Sequence, residues 1–336
     1  MSTGLVLGKF APLHKGHEYV IGKAIQENNL VYVLIYDCPE VTDVPLPIRA
    51  NWIRQSCAGC NSKLVIIECW DGNNTVSNDP KIKKQHETYI RSKLKGIKID
   101  NFYSSEFYGA HISKALGAKD CRVDEARKKF PISGTKIREN PYKYRKYLSP
   151  YVYRDLITRI LFVGAPSTGK STLCKALAKK YDTVWMPEYG RNYWARFNKN
   201  RRLTLEQLDT IALTHRTMML KKVNDANKYL FVDTDASTTQ IFAKYYHGES
   251  TPILHNLTRL SRLDYDYVFL CDDDIPYEDT KDRSGEANRD LFQRQIKADL
   301  FFRRIRFAEI SGSLASRIYQ VERILIENYQ NRRWKY

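Results

Sequence analysis

The chain has 336 residues, of which 43% are hydrophobic and 12% aromatic, so it can bury two cores and is not an intrinsically disordered protein. Its net charge of +17 is shared between residues 1–150 (+9, from 24 basic and 15 acidic side chains) and the remainder (+8, from 31 and 23), so we do not expect a nucleic-acid partner. No apolar run approaches the ~18 residues of a membrane span, and no signal peptide is visible. Seven irregularly spaced cysteines fit a reducing compartment, so we expect a cytoplasmic protein without membrane association.

Strand-like and helix-like runs alternate through the first half of the chain. The predicted strands are Leu5–Phe10, Val31–Tyr36, Lys63–Glu68 and Phe102–Ser104. The predicted helices are Lys15–Asn28, Leu46–Cys57, Asp79–Leu94 and Gly109–Leu116, and a loop opens another helix at Ile132–Glu139. This alternation predicts an α/β domain whose parallel sheet is covered by helices on both faces.

Two elements of this half have the composition of anion sites. The first, Gly8-Lys9-Phe10-Ala11-Pro12-Leu13-His14-Lys15-Gly16-His17, places two imidazoles at the start of a helix, where they can hold phosphates and stabilise charge during attack at an α-phosphorus. Two histidines can also be metal ligands, but no third and fourth ligand stand at suitable spacing. The second element, Ile132-Ser133-Gly134-Thr135-Lys136-Ile137-Arg138, joins a Ser/Thr loop to basic side chains. The pair is typical of nucleotidylyltransferases.

Residues 140–150 lack periodicity, so we place the boundary there and predict domains over residues 1–145 and 157–336. The alternation then restarts, which predicts a second α/β domain with a parallel sheet. The predicted strands are Arg159–Val163, Thr183–Met186, Tyr229–Val232, Tyr267–Leu270 and a strand near Arg306–Ile310. The predicted helices are Lys170–Lys180, Leu205–Val223, Arg289–Arg304 and Leu314–Asn328.

A glycine loop stands between the first strand and the first helix of the second half. Its sequence, Gly164-Ala165-Pro166-Ser167-Thr168-Gly169-Lys170-Ser171, has the spacing of a P-loop, whose backbone N–H groups curl around phosphates. We expect Lys170 to reach the β- and γ-phosphates and Ser171 to bind Mg²⁺. A chance glycine turn is the alternative, which both flanking elements disfavour. Because no Asn-Lys-x-Asp sequence of the GTPase kind is present, we expect a kinase for a small molecule.

Acidic residues follow the next strands of this predicted sheet. Glu188 stands where such kinases often place the group that orients the acceptor hydroxyl, and Asp233 stands where a magnesium-linked carboxylate is expected. The alternative for each is a helix N-cap or a turn acid, and the residues leave open which of the two is the catalytic base. Residues 277–289, with Lys281 and Arg283, resemble a lid that brings a cation to the transferred phosphoryl group, and a solvated charged loop is the alternative.

Together these motifs resemble the NadR-type bifunctional family, in which a nicotinamide-mononucleotide (NMN) adenylyltransferase is joined to a ribosylnicotinamide kinase. The resemblance covers nearly the whole chain. Besides the elements quoted above, it includes the segments Pro47–Trp52, Ser104–Glu106, Glu188–Arg191 and Val232–Asp235.

The resemblance implies specific roles for residues of this sequence. In the first domain it implies ATP binding by Gly8, Lys9, Phe10, His14, His17, Ser133, Thr135, Lys136 and Arg138, and NMN binding by Lys9, Arg49 and Trp52. In the second it implies ATP binding by Gly164, Ser167, Thr168, Gly169, Lys170, Ser171 and Thr172, and riboside binding by Glu188, Tyr189, Arg191, Asp233 and Asp235. The implied catalytic residues are His14, His17, Lys170, Glu188, Asp233 and Arg283, with Ser171 and Asp233 at the metal.

The implied activity is phosphorylation of nicotinamide riboside to NMN by ATP, followed by adenylylation of NMN with a second ATP to give NAD and pyrophosphate, with Mg²⁺ as cofactor. Two departures from the family bear on this. The chain begins at the adenylyltransferase strand, so we do not expect the repressor role of members that carry a helix-turn-helix. Asn192 stands where the family more often has an acid. A nucleotidylyltransferase–kinase fusion for another cofactor precursor and a nucleotide-sensing regulator are the alternatives, and homo-oligomerisation is left open.

Overall fold

The computed structural model describes residues 1–71, 79–106, 109–198, 202–277 and 289–327. It divides into two compact units, Met1–Leu156 and Ile157–Tyr336. All seven cysteines lie within the described ranges and are free thiols. In that part of the chain no helix is long and apolar enough to cross a membrane.

The first unit contains a five-stranded parallel sheet. Its strands are β1 (Thr3–Gly8), β2 (Leu30–Tyr36), β3 (Leu64–Cys69), β4 (Asn101–Ser104) and β5 (Lys119–Arg122). They are arranged in the order β3-β2-β1-β4-β5, and Leu5 of β1 pairs with Tyr32 on one side and Phe102 on the other. The chain extends the sheet first through β2 and β3 and then, on the opposite side of β1, through β4 and β5. The carboxyl ends of β1 and β4 therefore form the switch point at which open α/β sheets bind ligands.

Helices cover this sheet and are positioned by local capping. They are α1 (Lys15–Glu27), α2 (Leu46–Ser56), α3 (Pro80–Leu94), α4 (Gly109–Leu116), α5 (Gly134–Glu139) and α6 (Pro150–Leu156), with short 3₁₀ turns at Ala58–Lys63 and Arg145–Tyr147. For α3, the Asp79 side chain accepts hydrogen bonds from the first-turn N–H groups, and Pro80 occupies the first helical position. The buried stripe of α1, from Val20 to Ile25, packs toward the sheet.

The second unit has its own five-stranded parallel sheet. The strands are β6 (Thr158–Val163), β7 (Trp185–Met186), β8 (Tyr229–Asp233), β9 (Tyr267–Cys271) and β10 (Ala308–Ile310), in the order β10-β9-β6-β8-β7. Every residue of β6 and β8 is buried, as expected for central strands covered on both faces. Leu161 of β6 pairs with Val232 of β8 and Val268 of β9. The predicted fold class, two parallel sheets flanked by helices, is confirmed.

Seven helices of the second unit lie in the described ranges. They are α7 (Lys170–Lys180), α8 (Tyr189–Phe197), α9 (Leu205–Lys222), α10 (Ala236–His247), α11 (Pro252–Asp264), α12 (Arg289–Phe302) and α13 (Leu314–Glu327), and a 3₁₀ turn spans Val223–Asp225. Helices α9, α10 and α11 pack on one another through a separate apolar cluster that includes Leu208, Leu254 and Leu257. Helices α9 and α10 of this layer form one wall of a cavity described below.

Candidate active sites

A cavity of about 490 Å³ opens at the carboxyl ends of β1 and β4 in the first unit. Its wall contains seven residues that the sequence predicts as ligands of ATP, namely Gly8, Lys9, Phe10, His17, Ser133, Thr135 and Arg138. It also contains residues outside the motifs, among them Tyr36, His86 and Arg127. His14 lines an adjoining cavity of about 60 Å³, which shares His17, Arg127 and Ser133 with the larger one.

The two histidines of the N-terminal motif form a stacked pair. His14 is the N-cap of α1, and its Nδ1 accepts a hydrogen bond from the backbone N–H of His17 at 3.4 Å. The imidazole rings lie 3.7 Å apart at an interplanar angle of 19°, and the ring of Phe10 meets His17 edge-on at 5.1 Å. A Cβ at Gly16 would lie 3.1 Å from the His14 ring, so any larger residue there would displace that ring by a few tenths of an ångström.

Both imidazoles are neutral near pH 7. Burial lowers the pKa of His14 to about 4, with a further contribution from the nearby Arg127 guanidinium. Burial also holds the pKa of His17 well below its usual value, and the proximity of His14 and Arg127 acts in the same direction. His17 Nδ1 is buried and has no hydrogen-bond partner among the described residues.

The second anion element closes the cavity from the other end of the sequence. Ser133 caps α5 by accepting a hydrogen bond from the backbone N–H of Lys136 at 3.3 Å. Arg138 donates to the carbonyl oxygen of Ala11 at 2.7 Å and to Thr135 Oγ1 at 3.1 Å. Arg138 therefore ties the two motifs together, while the Lys136 side chain is exposed and lies outside the cavity wall.

Arg49 and Trp52, expected near NMN, are buried and do not line either cavity. The Arg49 guanidinium donates to the carbonyl oxygens of Lys9 (2.5 Å), Tyr36 (2.9 Å) and Val44 (3.0 Å). Trp52 Nε1 donates to Asp155 Oδ2 at 2.9 Å. Their hydrogen-bonding capacity is directed into the protein, so the structure gives both residues a supporting role rather than a place in the cavity wall.

The glycine loop of the second unit follows β6 and opens α7. Gly164 has φ +149°, and a Cβ there would lie 2.6 Å from the carbonyl oxygen of Cys271, so only glycine fits. Gly169 precedes α7 with φ +76°. Lys170 is buried, and its Nζ donates to the carbonyl oxygens of Gly164 (2.9 Å) and Ala165 (2.8 Å). The lysine ammonium therefore lies inside the curl of the loop.

A hydroxyl and a carboxylate meet at the first turn of α7. Ser171 Oγ donates to Asp233 Oδ2 at 2.5 Å, and Asp233 is the last residue of β8. Asp233 is fully buried, and its Oδ1 has no hydrogen-bond partner among the described residues. A buried carboxylate oxygen without a partner next to a serine hydroxyl has the chemistry of a magnesium ligand pair. These residues therefore fit the Mg²⁺ expected from the sequence.

Three side chains that the sequence motifs did not identify support the loop from outside. Arg317 of α13, only 3% exposed, donates to the carbonyl oxygen of Thr168 at 2.7 Å, and Arg289 of α12 donates to that of Ser167 at 3.1 Å. Gln293 accepts from the backbone N–H of Ala165 at 2.8 Å. In the sequence, each of the three is a basic or amide side chain in a helix near the end of the chain. No local sequence pattern distinguishes such a side chain from one that faces solvent.

A cavity of about 110 Å³ adjoins the loop. Gly164, Ser167, Lys170, Glu188 and Arg191 line it. Glu188 Oε2 lies 3.6 Å from an Arg191 guanidinium nitrogen. The rest of the wall is mostly apolar and aromatic, and comes from Trp194, Leu203, Leu208, Ile211, Phe242, Tyr246, Phe292 and Ile296.

The remaining predicted residues lie outside that wall. Thr168, Gly169, Ser171 and Thr172 belong to the loop and the first turn of α7, and Tyr189 packs against the α9–α11 cluster. Asp235 caps α10 by accepting from the backbone N–H of Ser237 at 3.1 Å. Arg283 and Lys281 lie outside the described residues.

Comparison with known proteins adds a family context. A family model described as an AAA domain matches residues 159–317. The chain is 29% identical over 334 residues to the trifunctional NAD biosynthesis/regulator protein NadR of Escherichia coli strain K12, and 29% identical over 332 residues to that of Salmonella typhimurium strain LT2. Each alignment covers 92% of this chain and 78% of the relative.

Solved structures of NadR proteins are also similar to this chain. A NadR protein in complex with NR superposes with a TM-score of 0.58, and one in complex with NAD and AMP-PNP with a TM-score of 0.57. Each is 23% identical and covers 97% of this chain and 95% of the solved one. These matches confirm the resemblance that the motifs predict: the chain is similar to NadR proteins in sequence and fold along nearly its whole length.

Proposed function

We propose that the protein is a bifunctional enzyme of NAD biosynthesis. The second unit phosphorylates nicotinamide riboside with ATP, and the first adenylylates the resulting NMN with ATP to give NAD and pyrophosphate. The observation that carries this proposal is the difference between the two sites. One has a lysine-bearing glycine loop with a serine–carboxylate pair, suited to γ-phosphoryl transfer, and the other has a stacked imidazole pair at a helix start, suited to attack at the α-phosphorus. The NAD-related names of the similar proteins point to the same substrates.

In the first unit, catalysis consists of positioning and charge stabilisation. His14 and His17 are neutral, so each imidazole can donate an N–H hydrogen bond to a phosphate oxygen without an ionic contribution in the free protein. Arg138 and Thr135, already hydrogen-bonded to each other, hold the phosphate end of ATP. A phosphate oxygen of NMN attacks the α-phosphorus in line, and pyrophosphate leaves with no covalent enzyme intermediate.

In the second unit, Lys170 leaves its two loop carbonyls and binds the β- and γ-phosphates. Asp233 Oδ2 accepts from Ser171, and this contact supports a place for the carboxylate on the metal side of the site. Glu188 lines the cavity beside the loop and is therefore the group that orients the acceptor hydroxyl. Ser171 and Asp233 would hold Mg²⁺, which neutralises phosphate charge when bound. Arg283 would add a cation from the lid segment.

The test is a two-substrate assay with wild type and two variants. The protein is incubated with ATP, Mg²⁺ and either nicotinamide riboside or NMN, and the products are separated by chromatography. Lys170→Ala is expected to abolish NAD formation from the riboside and to leave NAD formation from NMN intact. His17→Ala is expected to stop NAD formation from both, with NMN accumulating from the riboside.

Each variant is expected to lose the reaction of its own unit and to retain that of the other unit, which separates a loss at one site from a general loss of active protein. If the wild type forms neither NMN nor NAD, the proposal is wrong. If His17→Ala still forms NAD at the wild-type rate, the assignment of the imidazole pair is wrong, although the overall reaction could stand.

A further inference from the structure

Helix α12 presents apolar side chains on two opposite faces. On the inner face, Phe292 and Ile296 are buried and line the cavity of the second unit. On the outer face, Leu291, Ala298 and Phe302 are exposed, and spacings of seven and four residues place them in one line along the helix. The exposed face of a helix is normally polar, so this line marks a surface suited to a partner.

The line ends in an aromatic and basic turn. Phe301 and Phe302, the last two residues of α12, are 64% and 88% exposed. We call residues 301–307, with the sequence Phe-Phe-Arg-Arg-Ile-Arg-Phe, the basic aromatic turn. The ring of Phe307 meets that of Phe301 at a centroid distance of 5.3 Å and an interplanar angle of 77°. Exposed rings supply little of the burial energy that phenylalanine gives in a core, so fold stability does not account for their presence here.

Hydrogen bonds hold the turn in place. The backbone N–H of Arg304 donates to the carbonyl oxygen of Phe301 at 3.0 Å. The Arg303 side chain donates from Nε to Asp299 Oδ2 at 2.8 Å and from Nη1 to Ser261 Oγ at 3.3 Å. Because Ser261 belongs to α11, these contacts tie the turn to two helices. The exposed phenylalanines therefore project from an ordered part of the second unit.

The charge of the turn is positive. Arg304 and Arg306 are exposed, and neither forms an ion pair with a described residue. The acidic side chains nearest in sequence, Asp299 and Glu309, are each already paired with another basic side chain. A partner of this surface should therefore be apolar toward the phenylalanines and anionic toward the arginines.

We propose that the outer face of α12 and the basic aromatic turn bind the surface of a lipid bilayer that contains acidic phospholipids. Phe301 and Phe302 enter the boundary between headgroups and acyl chains, while Arg304 and Arg306 contact the lipid phosphates. The inference goes beyond the proposed enzymatic function and does not depend on it. It departs from the sequence-based expectation of no membrane association, because a search for spanning segments does not detect a surface of this kind.

Two other occupants fit the observations less well. A single-stranded nucleic acid would stack its bases on aromatic faces, but Leu291 and Ala298 have no ring to offer. A second copy of the chain, related by a two-fold axis, would bring Arg304 and Arg306 toward their own copies, and like charges repel. A lipid surface accepts aliphatic and aromatic side chains alike and supplies the negative charge.

The test is sedimentation of the full chain with two kinds of vesicle. One kind is phosphatidylcholine alone, and the other is phosphatidylcholine and phosphatidylglycerol in equal amounts. The double variant Phe301→Ser/Phe302→Ser removes the rings, and the double variant Arg304→Gln/Arg306→Gln removes the charges. All four positions are on the surface or in the turn and outside the catalytic machinery, and thermal unfolding verifies that each variant folds.

The controls change similar side chains elsewhere on the second unit. Tyr319→Ser alters an aromatic residue on α13 that is 65% exposed, and Arg323→Gln alters an arginine on the same helix whose side chain is 58% exposed. Neither control should change binding to either kind of vesicle.

The wild type is expected to bind the mixed vesicles, to bind phosphatidylcholine vesicles much more weakly, and to bind less well as salt is added. The double arginine variant should lose about 25-fold in affinity for the mixed vesicles, at about fivefold for each arginine. The double phenylalanine variant should lose at least about tenfold, because the apolar contact is removed.

A wild type that does not sediment with the mixed vesicles would overturn the inference. Double variants that bind as the wild type does would also overturn it, as would controls that lose as much affinity as the double variants. Two further results would overturn it in favour of another occupant. Tighter binding to a random single-stranded oligonucleotide than to vesicles would assign the surface to nucleic acid, and dimerisation that Phe301→Ser/Phe302→Ser abolishes would assign it to a second copy.

Discussion

Replacing His14 with Asn should make the protein less sensitive to acid. Asparagine is a favoured N-cap and can still accept the hydrogen bond from the backbone N–H of His17, so the start of α1 is kept while the titratable group is removed. In the wild type, burial lowers the pKa of His14 to about 4, below the usual value of 6.5 that applies in the unfolded chain.

The sign and the size of the effect follow from these two values. At pH values between 6.5 and about 4, the unfolded chain binds more protons than the folded one. The stability that His14 contributes is therefore complete at neutral pH and falls as the pH drops through this range. For one group with these pKa values, the loss in the free energy of unfolding between pH 7 and pH 5 is about 2 kcal/mol. His17, whose pKa is also lowered, adds a loss of the same sign in both proteins.

The measurement is urea unfolding of wild type and His14→Asn at pH 7 and pH 5, because the difference between the two proteins cancels the titrating groups other than His17, whose pKa is lowered in part by His14. The advantage of His14→Asn at pH 5, relative to pH 7, should be about 2 kcal/mol. Histidine proton NMR gives a direct check. A His14 resonance that titrates near 6.5 in the folded protein, or an unfolding difference that does not change with pH, would refute the reasoning.

Two further predictions concern the support of the glycine loop. Gly164→Ala should lower the free energy of unfolding of the second unit by about 2–4 kcal/mol, because its Cβ would collide with the Cys271 carbonyl oxygen. Gly248→Ala, also at positive φ but with open space around it, should lower it by about 1 kcal/mol. Urea unfolding measures both variants, and equal losses would contradict the steric argument. Arg317→Met should lower the free energy of unfolding by about 3 kcal/mol and abolish phosphoryl transfer, since it leaves loop carbonyls unpaired. Arg323→Met, at a position on the same helix whose side chain is 58% exposed, should change the free energy of unfolding by less than about 0.5 kcal/mol. Urea unfolding and product chromatography measure both variants, and similar behaviour of the two would contradict the argument.

Elements with strong periodicity or a phosphate motif could be predicted from the sequence, and two helices, Gly109–Leu116 and Lys170–Lys180, have the predicted ends. Strand β5 escaped prediction because the sequence Lys-Asp-Cys-Arg at a sheet edge has no apolar alternation. Helix α8 was not predicted because it contains a glycine and four aromatic residues, which are poor helix formers. Helices α10 and α11 did carry readable start signals, the capping side chains of Asp235 and Thr251, which hydrophobic periodicity alone did not bring out.

The residues of the candidate sites also include some that the sequence could predict and some that it could not. Gly164 and the histidine pair could be predicted because the backbone geometry or the phosphate chemistry requires those residue types at fixed spacing. For Arg49, expected near NMN, the sequence cannot show whether the guanidinium faces a cavity or, as the structure has it, donates to three backbone carbonyls. Arg317 could not be found because the loop carbonyl to which it donates, that of Thr168, is 149 residues away along the chain, and only the fold brings the two together.

The resting state of each site is also set by the fold rather than by its motif. In the proposed role, Lys170 would give up two carbonyl hydrogen bonds to bind phosphate, so hydrogen-bond count alone would provide little affinity. The gain comes from placing an ammonium next to a multiply charged phosphate in a buried position, where the effective dielectric constant is low. The first unit lacks that gain in its imidazoles, which are neutral, and depends more on Arg138 and on hydrogen-bond geometry.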